Sequence, residues 1–262
     1  MNDVVIASSE ADARAAEAVE EHHAQMAGAL ALKVESLSAA ARARRQDNAD
    51  EVTADLVTWC RGELVPHALA EEDTLYRVAA EQVEARLLVE AMLAEHRAIV
   101  GLVDDLARAA DPVAAAELAR ALRILFETHL AKENEQILPL LVAAPDVALA
   151  ALLGGLHELL GAAVRDADHS EQPIGHACGC GEVDPSGHPE LDTRTIPHAI
   201  RHATIFGALD GVRPGKGLIL VAPHDPLPLL AQLETREPGA FEVDYLERGP
   251  QAWRLAIVRQ AG

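Results

Sequence analysis

The segments His67–Tyr76 (HALAEEDTLY) and His129–Leu138 (HLAKENEQIL) decide how the chain folds. Each places a glutamate four residues after its histidine, at Glu71 and at Glu133. Because an α-helical turn takes 3.6 residues, positions i and i+4 project from the same face, about 6 Å apart along the axis. An imidazole and a carboxylate placed in this way can bind one ion, or two neighbouring ions with the carboxylate as a bridge.

Long amphipathic helices are predicted around these two segments, because Ala- and Leu-rich sequence with heptad-like spacing extends to about residue 164. The helices run over about 10–43, 50–78, 83–108 and 113–142, and a shorter fifth segment covers about 147–164. Pro66 lies inside the second helix and should kink it just before His67. Four long helices with short connections predict an up-down four-helix bundle.

Each of the four long helices carries a histidine on its apolar stripe. The first helix offers His22 and His23, and the stripe through Val19 and Met26 places His23 inward and His22 on the flank; the third helix offers His96. One such histidine is usually a hydrogen-bonded core residue, and one His/Glu pair is usually a helix-surface contact. Four buried histidines beside two glutamates would be costly to desolvate without a partner, and a cation supplies that partner.

The composition restricts the partners. The 262 residues include 22 Lys and Arg against 42 Asp and Glu, a net charge of −20, so nucleic acids and anionic membranes are not expected as partners. The N-terminus lacks the basic region and apolar core of a signal peptide, and the apolar stretch 147–156 is about half a membrane span. Three cysteines make no disulfide framework. These features predict a cytoplasmic protein.

The chain changes character near residue 166. Residues 166–189 have no apolar periodicity and predict a flexible linker containing a Cys-Gly-Cys sequence. From residue 190, β-rich runs alternate with helical segments in the order strand, helix, strand, helix, strand, strand. The prediction is an all-α domain over 1–165, the linker over 166–189, and a small α+β domain over 190–262, folded as a two-layer α/β sandwich.

Residues 10–160 resemble the hemerythrin-like family of histidine-histidine-glutamate (HHE) cation-binding domains. The motifs that carry the resemblance are EHHAQM, HALAEEDTLY, AEHRAIV and HLAKENEQILPLL. The resemblance implies a non-haem di-iron centre in the four-helix bundle, with the ligands His23, His67, Glu71, His96, His129 and Glu133. Glu71 and Glu133 would bridge the irons, and the second choices as ligands are His22, Glu72 and Glu135. Nitrogen and oxygen ligands suit iron and leave zinc or manganese open.

The third helix departs from the family pattern. Oxygen-carrying hemerythrins have two histidines one turn apart there, whereas the positions one turn from His96 are Met92 and Val100. Four histidines and two carboxylates leave an open coordination position, which weakens the case for a pure oxygen carrier. Tyr76 is interpreted as a core residue, with a place beside the ligands as the alternative.

The predicted function is binding of O2, NO or a peroxide at iron, for sensing, storage or detoxification. A di-iron oxidase or peroxidase is the alternative from a different class. A plain cation-binding or interaction module without turnover is the third interpretation.

From about residue 190 the chain resembles an uncharacterised domain that occurs beside hemerythrin-like domains and is similar in fold to TusA/SirA. The stretches ELDTRTIPHAIRHATIF, HDPLPLL and ERGPQAWRLAIVR carry this resemblance. Sulfur carriers of that fold use a Cys-Pro motif, and this chain has Ile196-Pro197-His198 instead. A persulfide relay is therefore rejected.

A second metal site is a weaker hypothesis. Cys178 and Cys180 can bind a metal or form a redox couple, with His202 and His224 as further candidates. Two cysteines fall short of four ligands, however, and their surroundings are rich in glycine. The alternative for the stretch at His224 is a turn from a strand into a helix.

Overall fold

The computed structural model describes residues 9–43, 46–154, 188–196 and 198–260. Its first part is a bundle of four long helices: α1 (Glu10–Arg42), α2 (residues 46–79), α3 (Arg86–Leu106) and α4 (residues 112–143). Residues 80–85 and 107–111 make short connections, which place consecutive helices side by side. The predicted helical bundle is confirmed.

Side-chain caps begin two of these helices. The Ser9 hydroxyl accepts a hydrogen bond from the backbone N–H of Asp12 at the start of α1. The Asp111 carboxylate accepts from the N–H groups of Val113 and Ala114 at the start of α4, where Pro112 is the first helical residue. Such caps satisfy N–H groups that have no partner inside the helix.

Helices α2 and α4 change pitch along their length. The α-helical stretches of α2 are Gln46–Trp59, Val65–Glu71 and Arg77–Ala79, and its π-helical stretches are Cys60–Leu64 and Glu72–Tyr76. In α4, the α-helical stretches Pro112–Lys132 and Leu138–Ala143 flank the π-helical stretch Glu133–Ile137.

Prolines accompany two of the π-helical stretches. Pro66 and Pro139 each lie two residues after such a stretch ends. Proline lacks an N–H and its ring clashes with the carbonyl of residue i−4 in a regular α-helix. A π-helical turn next to each proline allows the helix to continue, so the kink predicted at Pro66 takes the form of a change in pitch.

The four histidine positions divide the apolar core of the bundle in two. One cluster of buried side chains includes Leu30, Leu56, Ile99 and Phe126, and the other includes Val19, Leu75, Met92 and Ile137. Along each helix, the inward-facing histidine lies between residues of the two clusters. Residues 149–154 are helical, and Leu149 and Leu153 pack into the second cluster, as expected for the beginning of the fifth segment.

The second part is a four-stranded mixed sheet with two helices, in the predicted order along the chain. Its elements are β1 (Glu190–Asp192), α5 (His198–Asp210), β2 (Gly217–Ala222), α6 (Leu227–Arg236), β3 (Phe241–Arg248) and β4 (Trp253–Arg259). The strand order is β1-β2-β4-β3, with β1 parallel to β2 and the other pairs antiparallel. The predicted small α/β domain is confirmed.

Helix α1 connects the two parts, because α5 packs along it. Leu30 and Val34 of α1 belong to the bundle core, whereas Ala31 belongs to the apolar core of the second part, together with Ile205 and Leu209 of α5. None of the helices in the described residues has the length and apolarity that a membrane span requires.

Candidate metal centre

Six buried side chains from all four helices of the bundle form a His/Glu cluster. Their exposed fractions lie between 0% and 3%, and the residues are His23, His67, Glu71, His96, His129 and Glu133. Two overlapping groups of three have ligand atoms within 4.8 Å of one another: His23, His67 and Glu71, and Glu71, His96 and His129. The structure therefore brings all six residues of the predicted first-choice set together, and Glu71 belongs to both groups.

Glu133 lies beside both groups. Its Oε2 atom is 3.9 Å from Nε2 of His23 and 3.6 Å from Nε2 of His129. This oxygen is buried and accepts no hydrogen bond from the described residues. Glu71 and Glu133 thus place two carboxylates between the histidines.

Polar side chains around the cluster fix the orientation of three imidazoles. Nδ1 of His23 lies 2.7 Å from Oδ1 of Asn134, Nδ1 of His96 lies 2.9 Å from Oε1 of Glu72, and Nδ1 of His129 lies 3.0 Å from Oε2 of Glu95. Since these oxygens can only accept, each Nδ1–H donates outward. The Nε2 atoms face the cluster, which is the arrangement expected of metal-binding histidines.

His67 has buried ring nitrogens without hydrogen bonds. Among the described residues neither Nδ1 nor Nε2 has a hydrogen-bond partner, although Nε2 lies 2.9 Å from Oε1 of Glu71. A buried polar atom without a partner costs about 1–3 kcal/mol. The unpaired atoms of His67 and Glu133 fit a bound cation, which would accept their lone pairs.

Tyr76 joins the cluster because of a π-helical turn. It lies five residues after Glu71, which on a regular α-helix would place it about 140° away around the axis. The π-helical stretch Glu72–Tyr76 has i→i+5 hydrogen bonds, which return the fifth position towards the same face. The Tyr76 hydroxyl donates to Oε1 of Glu133 and lies 3.0 Å from Nε2 of His129. The alternative interpretation of Tyr76, a place beside the ligands, therefore describes it better than a plain core residue.

Burial and mutual charge shift the pKa values of the cluster. Burial lowers the pKa of His129 to about 4, and burial together with the charge of Glu71 raises the pKa of Glu133 to about 8. Burial also opposes the charged form of His23, but the hydrogen bond to Glu71 and the charges of both glutamates raise its pKa to about 9. Burial opposes ionisation of Glu71, but contacts with His67 and His23 keep its pKa well below the usual range.

The second-choice ligands lie outside the two groups. His22 is half-buried on the flank of α1, with its ring 5.0 Å from that of His67, centre to centre. Glu72 contacts the outward nitrogen of His96, and Glu135 is exposed. The prediction that His23 rather than His22 faces inward agrees with this geometry.

The residues of the hypothetical second site do not form one in the described part of the chain. His202 and His224 are exposed and belong to neither group of candidate ligands. Cys178 and Cys180 lie outside the described residues. The second site therefore stays a sequence-based hypothesis.

Glu72, Glu95 and Asn134 were not predicted as orienting residues. Glu95 and Asn134 are sequence neighbours of the ligand candidates His96 and Glu133, and this adjacency is the signal that the sequence contains. It is a weak signal, because neighbours on a helix point about 100° apart. Each of these side chains reaches a histidine on a different helix, and only the packing of the helices shows the pairing.

A cavity of about 240 Å³ opens against His96 between α2 and α3. Its other lining residues include Leu69, Glu72 and Val100. Val100 lies one turn from His96, at one of the two positions examined for the second histidine of oxygen-carrying hemerythrins. Its side chain lines this cavity rather than the cluster. Met92, the other such position, is fully buried in the apolar core.

A helical bundle with a buried cluster of histidines and carboxylates defines a class of metal-binding proteins. Residues 14–141 match the family model described as Hemerythrin HHE cation binding domain, and residues 190–259 match Uncharacterized conserved protein (DUF2249). The chain thus carries an HHE cation-binding domain followed by a DUF2249 domain, which confirms the predicted resemblance. Searches of the curated proteins and of the solved structures returned no significant match.

The pKa shifts predict how the stability of the metal-free protein depends on pH. Glu133 and His23 have raised pKa values in the folded state, so between about pH 6.5 and 9 the folded state holds protons that the unfolded state has lost. The free energy of unfolding should therefore fall as the pH rises through this range, by on the order of 2 kcal/mol. Urea unfolding at several pH values with a chelator present measures it.

The matched controls for this pH dependence are two glutamine variants. Glu133→Gln keeps a neutral side chain at every pH, so it should remove the part of the fall that comes from Glu133 and leave the part that comes from His23. Glu135→Gln changes an exposed glutamate two residues away and should leave the fall unchanged. A stability that is constant or rises between pH 6.5 and 9 would contradict the assigned protonation states.

Proposed function

We propose that the bundle holds two iron ions and that the protein binds O2, NO or a peroxide there, for sensing, storage or detoxification. The observation that carries the proposal is the position of Glu71, whose carboxylate belongs to both groups of candidate ligands. His23 and His67 would hold one ion, and His96 and His129 the other. Glu71 and Glu133 would contact both ions, because their carboxylates lie between the two histidine pairs.

The ligand types support iron as the resident metal. Imidazole and carboxylate ligands suit iron, and no thiolate belongs to either ligand group in the described residues. Bundles with histidine and carboxylate ligands on facing helices are a recurrent scaffold for di-iron centres. A pair of irons would supply electrons and open coordination positions for a small ligand. Zinc and manganese are the competing metals, which metal analysis distinguishes.

The surroundings of the cluster support a small ligand. The ligand candidates are closed off from water, and the cavity against His96 has apolar walls that include Val65, Ala68 and Leu69. Glu72 and Arg97 line the same opening, so its mixed walls favour a small ligand without selecting an uncharged one. The net charge of −20 likewise disfavours polyanionic ligands. We propose the cytoplasm as the location of this function.

Replacement of His67 by Ala should remove metal and stability together. His67 makes no hydrogen bond in the described part of the chain, so beyond its 2.9 Å contact with Glu71 its contribution should come through the metal. Purified wild-type protein should contain about two irons per chain, and His67→Ala should contain one or fewer and lose the metal-dependent rise in melting temperature. Metal analysis, visible spectra under air and argon, and thermal unfolding test this.

The control for His67→Ala is His224→Ala, which changes an exposed histidine of the second part. It should keep the wild-type iron content and spectrum. Equal iron content in His67→Ala and wild type would show that the ligands are wrongly assigned. A wild-type protein that holds zinc alone after growth with ample iron would refute the di-iron proposal.

Replacement of Val100 by Trp should slow ligand access. Val100 lines the cavity against His96, so an indole there should fill part of the cavity. Stopped-flow mixing with NO should show association at least several-fold slower than in wild type, with unchanged iron content. The control Val113→Trp changes an exposed position on α4 outside the cavity. Wild-type association rates in both variants would rule out this route.

A di-iron oxidase or peroxidase is the second candidate, and Tyr76 is the observation that favours it. Its phenol is a redox-active group in hydrogen-bond contact with Glu133 and His129. Burial raises the pKa of Tyr76 well above its usual range, so the phenol keeps its proton. In a metal-bound protein with Glu133 ionised, Tyr76 would lose an electron to an oxidised iron and its proton to Oε1 of Glu133.

Replacement of Tyr76 by Phe distinguishes the two candidates. An oxidase or peroxidase that depends on the phenol should lose most of its turnover of O2 or peroxide while its iron content is kept. Tyr245→Phe, which removes a hydroxyl bonded to Asp225 in the second part, is the control. Absence of multiple turnovers in wild type, with reversible ligand binding, would leave the binding function as the better description.

A further inference from the structure

Helices α1 and α5 touch backbone to backbone at two glycines. A Cβ atom at Gly207 would lie 2.4 Å from the carbonyl oxygen of Ala24 and 2.7 Å from Cα of Gln25. A Cβ atom at Gly28 would lie 2.2 Å from the backbone nitrogen of Ala208. These distances are far inside van der Waals contact. The contact therefore depends on glycine in both helices at the crossing, and the atoms nearest to each added Cβ belong to the backbone of the other helix.

The crossing lies next to a candidate metal ligand. Ala24, whose carbonyl meets Gly207, directly follows His23 in α1. One residue is a rise of about 1.5 Å along a helix, so α5 bears on the backbone that holds the imidazole. Asn134 and Glu71, both residues of the bundle, contact the two ring nitrogens of that imidazole. His23 is thus held between the cluster and the second part of the chain.

Other contacts keep α5 in this position. Ala31, two turns along α1 from Ala24, is part of the apolar core of the second part, and Leu32 packs against that core. Arg236 of α6 reaches Glu21 of α1 at 3.8 Å, an exposed ion pair that contributes little. The packing of α5 on α1 is therefore mainly apolar and steric, which makes it sensitive to small displacements.

We propose that docking of α5 on α1 positions His23, so that the DUF2249 domain and the metal centre stabilise each other through the Gly28/Gly207 crossing. This inference rests on the proposed metal binding. By thermodynamic linkage, the factor by which docking strengthens metal binding equals the factor by which bound metal strengthens docking. Bound metal would then hold the second part of the chain more firmly on α1. Release of α5 from α1 would in turn weaken metal binding by the bundle.

The test uses glycine-to-alanine variants of the full-length protein. Gly207→Ala and Gly28→Ala introduce the clashing Cβ atom. The controls are Gly211→Ala, with only ordinary contacts around its Cβ, and Gly101→Ala, with open space. Alanine favours a helix over glycine by about 1 kcal/mol, so intrinsic propensity does not explain a loss in the test variants. The readouts are the dissociation constant for Fe(II) under argon, from chelator competition, and amide hydrogen exchange over residues 198–210.

The expected result is faster exchange over residues 198–210 in both test variants, together with Fe(II) binding about 5- to 150-fold weaker than wild type. Bound Fe(II) should slow exchange in the same segment of the wild type, and both controls should behave like the wild type. Circular dichroism should show an intact bundle in every variant.

Two results would overturn the coupling. One is faster exchange over residues 198–210 with unchanged Fe(II) affinity, in Gly207→Ala or in the bulkier Gly207→Leu. The other is unchanged exchange in both Gly207 variants, because the crossing would then not hold α5 in place. Failure of the wild type to bind metal would instead overturn the proposed function, and His67→Ala, which removes a ligand without touching the crossing, separates the two failures.

Discussion

The structure of the bundle depends on one constraint, which is that a layer of ionisable side chains must be buried at one height across four helices. Four imidazoles and two carboxylates without water would oppose folding unless each atom finds a partner. The surrounding features answer this requirement. Glu72, Glu95 and Asn134 satisfy outward-facing ring nitrogens. The atoms of His67 and Glu133 that have no hydrogen bond from the described residues are those that a cation would satisfy.

The sequence predicted the bundle and its six candidate ligands because both follow from the regular α-helical period. The spacing of His67 to Glu71 and of His129 to Glu133 needs nothing beyond 3.6 residues per turn. Tyr76 was harder to place because its position depends on a π-helical turn, which breaks that period. Pro66 and Pro139 were visible signals of irregular pitch. They do not indicate, however, which side chain the altered turn brings inward.

The order of strands and helices in the second part was also predictable, since β-rich runs and turn residues mark it clearly. The contact between the second part and the bundle was not predictable from the sequence. Gly28 and Gly207 lie in helical sequence, where glycine would ordinarily weaken the helix, and nothing local indicates that each faces the backbone of the other. Contacts between distant segments depend on shape, which the apolar pattern of one helix does not specify.

The position of Ala31 within the core of the second part changes what counts as a unit of folding. A boundary drawn between the bundle and the sheet assigns α1 to the bundle alone. Its middle nevertheless completes the hydrophobic interior on both sides. The apolar core of the second part is therefore formed by the C-terminal sequence together with Ala31 and Leu32 of α1. Separation of the two parts would expose apolar residues of α1 to water and would leave the α/β core incomplete. We therefore expect neither part, cut out of the chain, to keep its full stability.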